Sequence, residues 1–138
     1  MRYYLDTNVL IYVLMQNGYD ISRDVQSILD DYSNRFCVSS VSVQELVYVY
    51  KAGKIQDIRC KSVRDLFDTM DRLGIDIVPM NKCHLLQYAT LEVADGHKDP
   101  NDHIIIAQAI SDKIPIISSD GMFKEYTRQG LEFVFNKR

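Results

Sequence analysis

A chain of 138 residues, 46% apolar and 25% charged, has the composition of an ordinary soluble domain, and its length leaves room for one substantial core. No run approaches the roughly 18 apolar residues of a membrane span, and the apolar N-terminus carries an acid at its sixth residue and no small-residue cleavage site, so no secretory leader is expected. Cys37, Cys60 and Cys83 are odd in number and far apart, which suits a reducing cytoplasm and argues against a thiolate zinc site, while a formal net charge of −3 counts against nucleic-acid binding unless something local reverses it.

Arg2 to Leu5 reads as a short strand that ends at Asp6. Thr7 to Gln16 follows as a helix with Val9, Leu10, Val13 and Leu14 on one face, and Asn17-Gly18 is its stop. Asp20 to Tyr32 is a second helix with the stripe Ile21, Val25, Ile28 and Leu29. A second strand, Arg35 to Val38, leads through Ser39, Ser40 or Ser42 as a cap into a helix that runs to about Lys51. Its core stripe is Val43, Leu46, Val47 and Tyr50, and Glu45 lies on a different face beside Val41, Tyr48 and Val49. Gly53 ends it. Ile55 to Leu73 reads as a longer amphipathic helix with Ile58, Val63, Leu66, Phe67 and Met70 inward, stopped by Gly74.

Ile75 to Val78 is a third strand, and Asn81 to Ala94 a further helix. After the polar loop Asp95 to Lys98, Asp99 takes the N-cap and Pro100 the first position of a helix. Ile104, Ile105, Ile106, Ala107, Ala109 and Ile110 leave that helix little polar face, so it should be buried. Lys113-Ile114-Pro115 breaks the pattern, Ile114 to Ser118 is a short central strand, Gly121 to Arg128 a short helix, and Leu131 to Phe135 a last strand. Strands alternating with helices imply an α/β fold with a central parallel sheet of about five strands flanked by helices, in a single domain over residues 1–138.

In a parallel sheet the C-terminal ends of the strands share one edge, where ligands bind. Asp6 and Asp120 each follow a predicted strand and precede a predicted helix, so both belong there. Glu45 lies one or two turns into the helix after the second strand, near the same edge. A right-handed crossover starts the helix of Asp102 on that side as well. Four carboxylates brought together repel, and no Lys or Arg is placed to neutralise them. One or two hard divalent cations would solve this, because they take oxygen ligands and clamp a phosphodiester in a displacement. They would also supply the positive charge that the overall composition lacks.

Each acid has a second reading that stays open at this level. Asp6 and Asp120 serve equally well as N-caps, Asp102 has the capping-box spacing from Asp99, and Glu45 fits a solvated helix face. The histidines show no metal-ligand spacing: His84 reads as a surface helix residue, and His97 and His103 flank the Asp102 turn within reach of a substrate. The nine tyrosines read as packing residues, and no glycine-rich phosphate loop or nucleophile-elbow motif is present.

LDTNVLI at 5–11, SSVSVQELVYV at 39–49, HKDPNDHIIIAQAI at 97–110 and IPIISSDGMF at 114–123 together resemble, in order and spacing, the PIN-domain ribonucleases, and in particular the VapC-like toxins of toxin–antitoxin modules. The resemblance implies a PIN-like fold and Mg²⁺- or Mn²⁺-dependent cleavage of single-stranded RNA, with one or two ions held by Asp6, Glu45, Asp102 and Asp120. It adds Thr7, Asn8 and Ser118 as residues lining the site, a small antitoxin partner and a homodimer in the cytoplasm, with no membrane role. The chain departs from the family pattern at Asn101, where Phe is usual, and at His103, where Arg is usual. A PIN-type nuclease of RNA processing and a non-catalytic PIN-like RNA-binding module are the alternatives. A haloacid-dehalogenase-like phosphatase is disfavoured because Asn8 stands where its second acid would be, and a receiver domain because it needs adjacent acids after the first strand.

Overall fold

The computed structural model describes residues 1–16, 20–55 and 60–138. Its elements run β1 (Arg2–Leu5), α1 (Thr7–Leu14), α2 (Arg23–Asp30), β2 (Arg35–Ser39), α3 (Ser40–Lys51), α4 (Val63–Arg72), β3 (Ile75–Val78), α5 (Lys82–Thr90), α6 (Pro100–Asp112), β4 (Ile116–Ser118), a 3₁₀ helix (Gly121–Gln129) and β5 (Phe133–Phe135). The strands form one five-stranded sheet in the order β3-β2-β1-β4-β5, and every neighbouring pair is parallel.

Successive residues of a strand point to opposite faces of its sheet, and here that alternation divides the core in two. Leu5, Val38 and Ile117 face one side, where they meet Val9 and Leu10 of α1, Leu46 of α3 and Leu66 and Met70 of α4. Tyr4, Cys37 and Ile116 face the other, against Ile105, Ile106 and Ala109 of α6 and Phe123 and Tyr126 of the 3₁₀ helix. Helices cover both faces, so the central strands read as continuous apolar runs.

Several boundaries differ from expectation. The helix expected over Ile55 to Leu73 begins only at Val63. Ser62 caps it, accepting from the Asp65 N–H (3.2 Å), while the Asp65 carboxylate accepts from the Lys61 N–H (2.8 Å). This S-x-x-D signal is visible in the sequence and outranks the apolar periodicity before it. Ile58, expected inward, lies outside the described residues, and Phe67, also expected inward, is exposed. The stop at Asn17-Gly18 is likewise outside them, α1 ending at Leu14. The segment after Asp120 is 3₁₀ rather than α-helix. Tyr32 and Tyr48 are exposed rather than packed. Among the described residues no helix is long and apolar enough to cross a membrane.

Candidate functional site

The strand order reverses direction at β1, whose two neighbours are β2 and β4. The connections leaving β1 and β4 therefore part to opposite faces and leave a crevice at their C-terminal ends. Asp6 and Asp120 open those connections. Asp6 stays tied to the sheet through its own N–H, which donates to the Ile117 carbonyl (3.0 Å).

Both acids turn out to be N-caps, and both stand in the crevice as well. Asp6 Oδ1 accepts from the Thr7 N–H (2.8 Å) and Oδ2 from the Ser118 hydroxyl (2.7 Å). Ser118 Oγ in turn accepts from the Asp120 N–H (3.0 Å), and Asp120 Oδ1 accepts from the Met122 N–H (2.9 Å). One buried serine hydroxyl thus links the ends of β1 and β4. Across the crevice Thr7 Oγ1 donates to Glu45 Oε1 (2.8 Å), so a half-buried Glu45 is fixed to the first turn of α1. The carboxylate is drawn in by this hydroxyl, although Tyr48 on the same side of α3 is exposed. Asn8 is exposed, and no hydrogen bond among the described residues ties it to the acids.

Asp102 enters from the first turn of α6. Asp99 is the cap, accepting from the Asn101 N–H (3.0 Å) with Pro100 at the start, which leaves the Asp102 carboxylate free to face the other acids. The electrostatics reflect this proximity. Burial, and then the charges of Asp6, Asp99, Asp120 and Glu45, push the Asp102 carboxyl up to about 8. Asp6 is raised to about 6, first by burial and then by Glu45 and Asp120, against the lowering effect of its Ser118 and Thr7 hydrogen bonds. Glu45 is also raised, mainly by burial. Among the described residues the only basic side chain in ion-pair range of the four acids is a histidine, His97.

Two histidine expectations need correction. His84 is not a surface residue: its ring is buried, with Nδ1 accepting from the Asn81 N–H (3.1 Å) and Nε2 facing Asp112 Oδ1 (2.8 Å). His97 has a direct place in the acid cluster despite lacking ligand spacing. Its Nε2 lies 3.2 Å from Asp102 Oδ2 and 3.7 Å from Asp120 Oδ2. Burial, reinforced by His103, lowers the basicity of the His97 ring. His103 is buried too, its Nε2–H donating to the His97 carbonyl (2.9 Å). Donor atoms of His97, Asp102 and Asp120 all lie within 4.8 Å of one another, a spacing that one cation could span. An oxygen-rich set of raised carboxyls suits a hard divalent ion, because a bound cation offsets both the burial and the mutual repulsion that raised them.

The PIN domain family model matches residues 3–129. Ribonuclease VapC2 of Haemophilus influenzae is 28% identical over 130 residues, which are 93% of this chain and 92% of the relative. The fold is shared with VapBC2 from Rickettsia felis bound to a DNA fragment from its promoter (TM-score 0.65, 16% identity, 99% of this chain and 100% of that one). It is shared equally with DNA-bound VapBC from Salmonella typhimurium (TM-score 0.66, 14% identity, 98% of each chain). The parallel five-stranded sheet, its reversal at β1 and a family match running through all four acid-bearing segments lead to one assignment: the chain belongs to the PIN domain family.

Proposed function

We propose that the protein is an endoribonuclease dependent on Mg²⁺ or Mn²⁺, acting on single-stranded RNA as the toxin of a VapBC-type pair. The observation that carries this reading is the meeting of Asp6, Glu45, Asp102 and Asp120 at one sheet edge with no Lys or Arg in ion-pair range among the described residues. These four residues would hold one or two ions. A divalent ion in such a site stabilises charge on phosphoryl oxygens and makes bound water acidic enough to react near neutral pH.

The chain's own residues prepare the site. Ser118 and the Thr7 N–H fix both oxygens of Asp6, and Thr7 fixes Glu45, so the carboxylates are oriented before any ion arrives. The described residues offer no Ser–His or Cys–His pair beside the acids, which favours water over a side chain as nucleophile. The printed name of the ribonuclease relative and the toxin–antitoxin complexes that share the fold support a ribonuclease with an antitoxin partner, and a homodimer in the cytoplasm is part of the same proposal.

The test is purified protein against a panel of structured RNAs, with and without Mn²⁺. Cleavage should require the metal, and Asp6→Asn, which keeps the shape but removes a charge, should abolish it while the protein stays folded. Full activity of that variant with Mn²⁺ present would overturn the assignment. Metal-independent RNA binding without cleavage would favour the non-catalytic module. A small neighbouring gene encoding a DNA-binding N-terminus would favour the toxin over an RNA-processing nuclease.

A further inference from the structure

His97 occupies a built position. Its ring meets the His103 ring edge-on (centroids 4.7 Å apart) and packs against Tyr126 (5.4 Å) and Phe123 (6.1 Å). Its Nδ1 lies 2.6 Å from the Tyr126 hydroxyl. That hydroxyl already accepts from the Ala94 N–H (3.1 Å). Its proton has no other acceptor among the described residues, so it goes to His97 Nδ1. A neutral imidazole that accepts at one nitrogen donates at the other. The proton then sits on Nε2, which faces Asp102 Oδ2 at 3.2 Å. The relay runs Ala94 N–H to Tyr126 O–H to His97, and His97 Nε2–H to the Asp102 carboxylate.

We propose that His97 is a positioning residue of the acidic centre: locked by Tyr126 as its Nε2–H tautomer, it donates to Asp102 Oδ2 and fixes the orientation of that carboxylate toward a divalent cation. An Nε2 that carries a proton cannot itself ligate the ion, so His97 acts through Asp102. The role rests on the metal-dependent reading above. It differs from general packing because it assigns a donor to one atom.

Two measurements test it on the full-length protein. In the metal-free protein at alkaline pH, where the acids are ionised, nitrogen–proton NMR correlations of the histidine rings should show a protonated Nε2 and a bare Nδ1 for His97. Tyr126→Phe should shift the Nδ1 resonance by removing its hydrogen-bond donor, and a protonated Nδ1 in the wild type would overturn the proposal. The second measurement is Mn²⁺ affinity by calorimetry. His97→Phe keeps the bulk but loses the donor and should weaken binding about 10–100-fold, the usual cost of removing such an outer partner. His97→Gln keeps an N–H donor at a similar reach and should stay close to wild type. Unchanged affinity in His97→Phe, equal loss in both variants, or a histidine nitrogen coupled directly to bound Mn²⁺ in spin-echo spectra would each overturn it. A wild type that binds no Mn²⁺ would instead refute the metal-dependent reading, and the positioning role with it.

Discussion

The two ends of α6 carry the same three residue types in different circumstances. At its start Asp102 meets His97, which is backed by Tyr126. At its end Asp112 meets His84 and the hydroxyl of Tyr4. Both aspartates are largely covered, 19% and 26% exposed, so exposure alone does not separate them. Their partners do. Asp112 accepts from the Tyr4 hydroxyl and from His84 Nε2–H, whose tautomer is set by the Asn81 N–H, and Gln108 donates to Tyr4 (3.2 Å) and to the Val78 carbonyl (3.1 Å). Burial, and then Asp112, pushes the Tyr4 phenol well above its ordinary range, so it remains a donor. Asp102 has one histidine donor and carboxylates for the rest of its company. A carboxylate surrounded by donors locks helices to a sheet, whereas one surrounded by carboxylates is short of positive charge.

Substitution at each end should therefore separate activity from stability. Asp102→Asn is expected to lower RNA cleavage about 10³-fold while raising the melting temperature of the metal-free protein near pH 8 by a few degrees, since it removes like-charge repulsion. A drop in melting temperature would show that Asp102 is held by donors, as Asp112 is. Asp112→Ala is expected to do the reverse. It strands the Tyr4 hydroxyl and His84 Nε2–H without an acceptor, at a cost of about 3 kcal/mol in denaturant unfolding, with cleavage per folded molecule unchanged. Loss of cleavage in a folded Asp112→Ala protein would mean that the two ends of α6 are coupled.

The pH dependence of the metal-free protein should differ as well. A carboxyl whose folded value is raised holds its proton more tightly in the folded chain, so its favourable contribution is complete below its ordinary value and lost as pH rises through the folded one. For Asp6 that window runs from 3.8 to about 6, and for Asp102 from 3.8 to about 8. Calorimetry with a chelator present should show stability falling by several kcal/mol from pH 4 to pH 8, with Asp102→Asn flattening the upper half and Mn²⁺ restoring stability most at high pH. Stability that rises with pH over that range would contradict the repulsion described here. The smallest effect belongs to the residue after Asp112. Lys113 sits in the left-handed region (φ 56°), and Lys113→Gly should stabilise by up to about 1 kcal/mol with activity unchanged.

Asp6 and Asp120 were legible because a strand that stops at an acid places it at the functional edge of a parallel sheet, whatever else that acid does. The cap reading does not exclude a place at that edge, since a carboxylate has two oxygens. Asp6 caps with one and receives Ser118 with the other. Asp102 became legible once Asp99 took the cap. The late start of α4 was also written in Ser62 and Asp65, but the apolar spacing upstream masked it.

The sequence by itself determined the alternation of strand and helix, the parallel sheet and the four acids, because these follow from local periodicity, capping chemistry and the handedness of crossovers. The pairing of His97 with Tyr126, the burial of His84 against Asp112, and the bridging of β1 to β4 by Ser118 were decided only by the tertiary structure. These contacts join residues 29, 28 and 112 positions apart. A hydrogen bond depends on angstrom-scale placement of two atoms, and no pattern along the chain encodes which distant partner will arrive at that distance.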